Sequence, residues 1–385
     1  MTQYIEKRFK SILNVRRFID SYFWERYGIN VYNGCQHGCI YCDSRSAKYH
    51  LPTDFENQII VKTNVKQMLA ERLSKARTLL PDIVGMSGAS DPYHAAELKY
   101  QNTRQCLEVL NSFRFPVHIL TKSKNVLRDT DLFNSIALNN WACVSVTITT
   151  ANQGISEFLE PNVPSPDERF SIITEIKKQN NAIQSGVMLM PVIPFFTDKP
   201  DQLEEVIKKA KFSGADFVIF SGGMTLRDMQ ANWYLKHVYN KYPSLISGYE
   251  RLYNFRYNPE KYNGNYTTTN NYFIEINKII LELCDKYSIP FRIKRFIPND
   301  FRKINYEIAE KLLYEAYYRQ LTGKSYSDYQ WAGMNIQNLK KSIVELYKNE
   351  GAESLDIRNE IIKRFITGEI DKYDGPVKDN QLKLF

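Results

Sequence analysis

Six short β-rich apolar runs alternate with longer amphipathic stretches. This pattern predicts an α/β fold: an incomplete (β/α)6 TIM-like barrel with a mostly helical C-terminal extension. Two further observations point the same way. A chain of 385 residues with 43% hydrophobic content can hold one large α/β unit and an appended region. The motifs that carry chemistry follow the apolar runs, where a parallel barrel gathers its working loops.

Taken in order, residues 1–25 form an N-terminal basic segment holding Lys7, Arg8, Lys10, Arg16 and Arg17. Within 26–225, strands are expected near 29–33, 82–88, 116–121, 142–149, 184–190 and 216–221. Helices are expected between them, near 64–79, 98–112, 130–139, 166–179 and 200–213. Right-handed crossovers would bring every strand C-terminus to one mouth. Residues 226–375 change character, with aromatic-rich helical stretches, a turn-rich YNGNYTTTNN, one expected strand at PFRIKRF, and helices near 303–322, 335–349 and 355–367. This part caps or extends the barrel. Residues 376–385 form a flexible tail, and no repeat of fixed period occurs.

The net charge of +8 favours polyanionic partners, nucleic acid among them, with Arg292, Lys294 and Arg295 forming a second basic group. A lysine-rich surface is also often no more than solvated. The 26 tyrosines and 21 phenylalanines include rings that could stack on bases, although most such rings belong to cores. No apolar span reaches membrane-crossing length and MTQYIEKRFKSILN lacks a secretory pattern, so a cytoplasmic protein without a membrane partner is expected.

The most specific signal is GCQHGCIYC, in which Cys35, Cys39 and Cys42 are spaced Cys-x3-Cys-x2-Cys. Three thiolates on one loop can hold three irons of a [4Fe-4S] cluster and leave the fourth open to a cofactor or substrate. A structural zinc site, completed by His37 or a distant ligand, is the plainer alternative. Such sites usually need a second close ligand pair, and Cys106, Cys143 and Cys284 have no near Cys or His companion.

NVYNGCQHGCIYC, SGASDPYHAAE, HILTKS, VSVTITT, FLEPNVPSPDERF and SGVMLMPVIP together span roughly residues 10–225. This ordered set resembles the radical S-adenosylmethionine superfamily, specifically its spore photoproduct lyase-like branch of DNA repair photolyases. The resemblance implies a [4Fe-4S] cluster on Cys35, Cys39 and Cys42 and S-adenosylmethionine as second cofactor. It implies reductive cleavage of that cofactor to a 5′-deoxyadenosyl radical, action on a nucleic-acid base or DNA lesion, and a reductant such as flavodoxin or ferredoxin. It also implies cofactor-binding roles for Tyr41, Ser90, Lys122, Thr147 and Met190. On residues alone, Ser90 is a turn former, Thr147 an ordinary strand threonine and Met190 core filler.

Two positions depart from the branch. Gly88 stands where its hydrogen-returning cysteine is expected, and Asp43 where a second tyrosine follows the cluster motif. Tyr93 is the weak substitute as a radical relay. Cys143 shares strand parity with Thr147, but four residues separate the two by roughly 13 Å. The alternatives left open are a radical enzyme modifying RNA, a peptide or a metabolite, and a non-catalytic binding protein that carries a cluster.

The final residues, QLKLF, resemble the peptide by which bacterial repair proteins hold the sliding clamp. Leu382, Leu384 and Phe385 would fill an apolar pocket and Gln381 would make a polar contact, with Lys383 departing at the tolerant third position. A frayed terminus is the plainer account.

Overall fold

The computed structural model describes residues 2–373 apart from 53, 77, 87 and 352–356. The strands are β1 (Gln3–Lys7), β2 (Leu13–Val15), β3 (Tyr27–Ile29), β4 (Tyr32–Asn33), β5 (Gln58–Lys62), β6 (Val84–Met86), β7 (Val117–Thr121), β8 (Ala142–Thr147), β9 (Gln184–Leu189) and β10 (Val218–Phe220). The helices among them are α1 (Val65–Ser74), α2 (Ala96–Tyr100), α3 (Asn102–Ser112), α4 (Thr130–Asn139), α5 (Gln153–Leu159), α6 (Pro166–Gln179) and α7 (Pro200–Phe212). Then follow α8 (Asp228–Lys241), α9 (Ile246–Tyr253), α10 (Asn270–Lys286), α11 (Arg302–Leu321), α12 (Ser327–Gln337), α13 (Ile343–Glu350) and α14 (Glu360–Asp371).

The main sheet runs β10-β9-β8-β7-β6-β3-β2; β2 pairs antiparallel with β3, and every other neighbouring pair is parallel. All six residues of β8 are buried, as a strand covered on both faces requires. Helix α6 shows how local sequence sets the covering layer. Ser165 and Glu168 form a capping box, Pro166 starts the first turn, and Ile172, Ile173 and Ile176 are buried. Burying each such side chain contributes roughly 1.5–3 kcal/mol.

Several expectations meet a different structure. The N-terminal basic segment carries two strands, β1 and β2, and β1 joins β5 and β4 in a separate three-stranded sheet. The connection from β3 to β6 therefore passes through β4 and β5 before its helix, α1. The helix expected over 98–112 is two helices, broken at Gln101, whose φ is +50°. PFRIKRF is not a strand. Arg292 and Arg295 turn inward over the Trp24 ring, at 4.3 and 4.9 Å, which removes the alternation a strand needs. The segment keeps one link to the sheet, the Val218 N–H to Pro290 O bond.

The C-terminal helices are not a separate layer throughout. Ile276 and Ile280 of α10 and Leu313, Tyr317 and Leu321 of α11 share the sheet's core. The Tyr317 hydroxyl donates to the Phe220 carbonyl at the end of β10. The opposite side of α11 buries Ile304, Ile308 and Leu312 against α12–α14. Among the described residues, no helix is long and apolar enough to cross a membrane.

Candidate active site

The cysteine loop leaves β4 through Gly34, whose φ is +90°; a Cβ there would lie 2.5 Å from the Gln58 carbonyl oxygen. Only glycine permits that path. The loop is then tied down through its backbone. Cys35 N–H donates to Phe55 O at 2.9 Å, and Ile40 N–H to Leu159 O at 2.9 Å. Arg45 donates from Nε to Cys39 O (3.1 Å) and from Nη2 to Gly38 O (3.2 Å) and Glu56 Oε1 (2.5 Å). Trp233 of α8 covers that guanidinium at 4.6 Å, and Gln230 Nε2 donates to Tyr41 O at 3.1 Å.

Held this way, Cys35, Cys39 and Cys42 wall one cavity of about 120 Å3 at the C-terminal ends of β6–β8. Ser90, Asp91, Lys122 and Thr147 complete its polar wall. All six cysteines of the chain are free thiols. Burial pushes the Cys35 thiol up to about 12, against the N–H groups of Asp91 and His37 that favour its thiolate. Cys39 is raised by burial as well, and Lys122 opposes that shift. Burial disfavours the Lys122 ammonium, yet the surrounding Cys39, Glu160, Cys42 and Asp91 raise its pKa above the usual lysine value. A cation held charged beside buried thiols is what a thiolate-ligated metal group needs.

The donor set fits an iron–sulfur cluster. Among the described residues no group of three His, Cys, Asp or Glu side chains closes on a single ion. The three cysteines line one cavity, and three thiolates on one loop are the donor type that three corners of a cluster take.

The sequence-derived residues are brought together unevenly. Lys122, Ser90 and Thr147 share the cysteine cavity, and Ser90 Oγ also donates to Gly34 O at 2.5 Å. Tyr41 points behind the loop, where its hydroxyl donates to Glu160 and its ring lies 5.7 Å from Lys122 Nζ. Met190 packs against the main core rather than the cavity wall. Tyr93 is fully buried and donates to Asp129 Oδ2 at 3.0 Å. Cys143 lies deeper in the sheet, its Sγ 3.9 Å from Ser145 Oγ. Gly88 lines a neighbouring cavity of about 430 Å3 with Asn30, Glu25 and His118, and Leu120 belongs to both walls. Gln381, Leu382, Leu384 and Phe385 lie outside the described residues.

Three residues that shape the site, Asp91, Glu160 and Arg45, escaped the sequence reasoning. Asp91 accepts from Thr121 Oγ1 (2.7 Å) and the Lys122 N–H (2.7 Å), and its Oδ2 lies 3.2 Å from His37 Nε2, off the line of a hydrogen bond. Burial disfavours the Asp91 carboxylate, but His37 and these donors hold its pKa well below the usual carboxylate range. Glu160, in FLEPN, is fully buried against Arg169 at 2.7 Å. Burial works against its charge too, and Arg169, Lys122 and Tyr41 outweigh it. Arg45 is the loop clamp described above. Asp91 and Glu160 lay inside motifs already singled out, so their acidity within apolar surroundings was the available signal.

No protein-family model matches the chain. Uncharacterized proteins of Mycobacterium tuberculosis and Mycobacterium bovis are 30% identical to it over 232 residues, 59% of this chain and 67% of theirs. The chain belongs to their family. An uncharacterized protein of Methanocaldococcus jannaschii is 30% identical over 174 residues, 45% of this chain and 62% of its own length. Among solved structures, spore photoproduct lyase superposes with a TM-score of 0.51 at 15% identity, covering 71% of this chain and 78% of the lyase. One such structure, of a double mutant, holds bound AdoMet and dinucleoside spore photoproduct. At that identity the likeness establishes a shared fold.

Proposed function

We propose that this protein is a radical S-adenosylmethionine enzyme that acts on a nucleic-acid base or DNA lesion. The observation that carries the proposal is the single cavity walled by Cys35, Cys39 and Cys42 with Lys122, Ser90 and Thr147 facing them. When bound, a [4Fe-4S] cluster and S-adenosylmethionine supply an electron and a 5′-deoxyadenosyl radical that removes a hydrogen atom from substrate.

The chain's own residues have distinct tasks in that scheme. The three cysteines lose their protons and ligate iron. Lys122 offers a compact cation to the cofactor's carboxylate and to the thiolates. Asp91 aligns the end of β7 by accepting from Thr121 and the Lys122 N–H, which positions that lysine. Ser90 and Thr147 present hydroxyls to the cofactor's polar parts. The adjoining cavity beside Gly88 receives the reacting part of the substrate, and the glycine there provides no hydrogen donor. The +8 charge supports a nucleic-acid substrate, as does the fold shared with a lyase whose structure holds a dinucleoside photoproduct. A target in duplex DNA would have to swing out to reach the mouth. The QLKLF tail would tether the enzyme to a sliding clamp, and flavodoxin or ferredoxin would serve as reductant.

Anaerobic reconstitution with iron and sulfide tests the core of this reading. A brown protein with broad absorbance that cleaves S-adenosylmethionine under reduction is expected. A Cys39→Ala variant that retains full cleavage would rule out the ligand set. Deuterium transfer from labelled DNA, RNA and peptide pools then identifies the substrate class.

A further inference from the structure

The cavity beside Gly88, of about 430 Å3, adjoins the cysteine cavity, and Leu120 stands in both walls. Part of its wall is bare backbone. Gly28 of β3 and Gly85 of β6 are register partners on neighbouring parallel strands, and both line the space. A Cβ on Gly28 would meet nothing within 4 Å, so the strand borders an opening there. A Cβ on Gly85 would fall 2.0 Å from the Glu25 carboxyl carbon, so that glycine admits Glu25 to the wall. Glycine inside a strand weakens it and marks a place where a ligand or another group approaches the backbone closely.

Most charges on this wall are paired among themselves. Arg16 Nη2 donates to Glu25 Oε2 at 2.7 Å, His118 Nδ1 lies 3.2 Å from Glu25 Oε1, and His118 Nε2 lies 2.8 Å from Ser145 Oγ. Asp20, also on the wall, is different. Its Oδ1 accepts the N–H groups of Tyr22 (2.9 Å) and Phe23 (2.7 Å), while none of the described residues donates to Oδ2, an atom that stays accessible. Burial raises the Asp20 pKa above the usual carboxylate value, and the Phe23 N–H and Arg16 do not cancel that cost. This carboxylate therefore has room for one more donor. Phe23 adds an aromatic ring to the same wall, and Asn30, whose Oδ1 accepts the Ala89 N–H at 3.2 Å, adds an amide donor.

We propose that this cavity holds an uncharged, planar lactam or imide ring, and that Asp20 selects it by accepting the ring N–H at Oδ2. A wall stripped of side chains at Gly28 and Gly85 suits a flat ring. Arg16 and His118 are matched by Glu25 and Asp20, so the wall carries no excess charge to attract an ion. Asp20 and Asn30 then offer an acceptor for the ring N–H and a donor for its carbonyl. Thymine, uracil and guanine carry that N–H and carbonyl side by side when attached to a sugar, whereas neutral adenine and cytosine then carry no ring N–H. Seating a nucleic-acid base here rests on the function proposed above, whereas recognition of the ring itself does not.

The test is equilibrium dialysis of the purified full-length protein with thymidine, free thymine and 3-methylthymidine, in which a methyl group replaces the ring hydrogen. Thymidine is expected to bind saturably and at least about tenfold more tightly than 3-methylthymidine. Asp20→Asn keeps an oxygen for the Tyr22 and Phe23 N–H groups and presents NH2 in place of Oδ2. In that variant thymidine should bind at least about tenfold more weakly, and the preference over the methylated probe should vanish. Gly28→Val, whose Cβ has room, should remain folded by urea melt and lose binding of every probe. Binding of thymine without thymidine supports the ring site and assigns it to a free lactam rather than a nucleic-acid base. Absence of saturable binding by both, equal affinity for thymidine and 3-methylthymidine, or an unchanged preference in folded Asp20→Asn overturns the proposal. The readout needs no turnover, so a failure of S-adenosylmethionine cleavage would sink the proposed function and leave this result standing.

Discussion

Asp43, the residue directly after the third cysteine, is ion-paired with Arg227, 184 positions further along the chain. Tyr49 donates to the same carboxylate at 2.8 Å. The cysteine loop is thus latched to the segment between β10 and α8, and Asp43 has a structural partner where the resemblance led us to expect a tyrosine. The pair is partly exposed, at 18% for Arg227 and 37% for Asp43, so its contribution to global stability is about 1 kcal/mol or less. Arg227→Gln is therefore expected to leave the denaturation midpoint nearly unchanged while speeding cluster loss to a chelator, followed by bleaching of visible absorbance.

Glu160 behaves differently because its pair with Arg169 is fully buried. Removing one charge strands the other in a low-dielectric interior. Glu160→Gln is expected to lower unfolding free energy by about 3 kcal/mol, measured by urea denaturation. A loss below about 1 kcal/mol would show that solvent reaches Arg169.

His118 predicts a loss of stability at alkaline pH. Burial disfavours its charged form, but Cys143 and Glu25 outweigh that and push its pKa up to about 10. A folded-state value above the unfolded one stabilises fully below about pH 6.5. That contribution then drains away as pH rises through the folded value, by about 1 kcal/mol per pH unit. Unfolding free energy should fall between pH 7 and pH 9, and His118→Gln should flatten that slope.

Asp91 predicts the opposite limb. Its depressed carboxyl pKa stabilises the fold above the unfolded value of about 3.9, and the contribution is lost as pH falls toward the folded value. Asp91→Asn should reduce stability at pH 7 and narrow its gap from the parent protein below pH 4. A gap that stays constant down to pH 3 would contradict this ionic role.

Gly34→Ala tests the backbone route into the cysteine loop. The added methyl meets the Gln58 carbonyl oxygen at 2.5 Å on a backbone with φ of +90°. A cost of about 1–3 kcal/mol is expected, together with reduced iron content by colorimetric assay. Deleting residues 381–385 is expected to abolish co-elution with a sliding clamp while leaving S-adenosylmethionine cleavage intact.

Much of the sheet was legible because each parallel strand carries its own signature. The runs ending at Thr121, Thr147 and Leu189 are apolar, short and followed by turns, so their positions matched expectation closely. Edge and surface elements were less legible. Strand β1 is a charged pentapeptide, QYIEK, with no buried residue, and it forms because β5 offers a free edge. PFRIKRF misled for the converse reason: its residue types read as a strand, but Arg292 and Arg295 are drawn onto the buried Trp24 ring.

At the site the division follows the range of the interaction. The cysteine spacing and the glycine beside it are local, set by bonds and torsions within one short loop, so the sequence alone determined the three-cysteine motif. Which charges surround that loop depends on contacts between residues far apart in the chain, such as Lys122 and Glu160 beside Cys39, or Arg227 against Asp43. Only the folded chain decided those, because electrostatic strength depends on burial and distance, and neither is written in the order of residues.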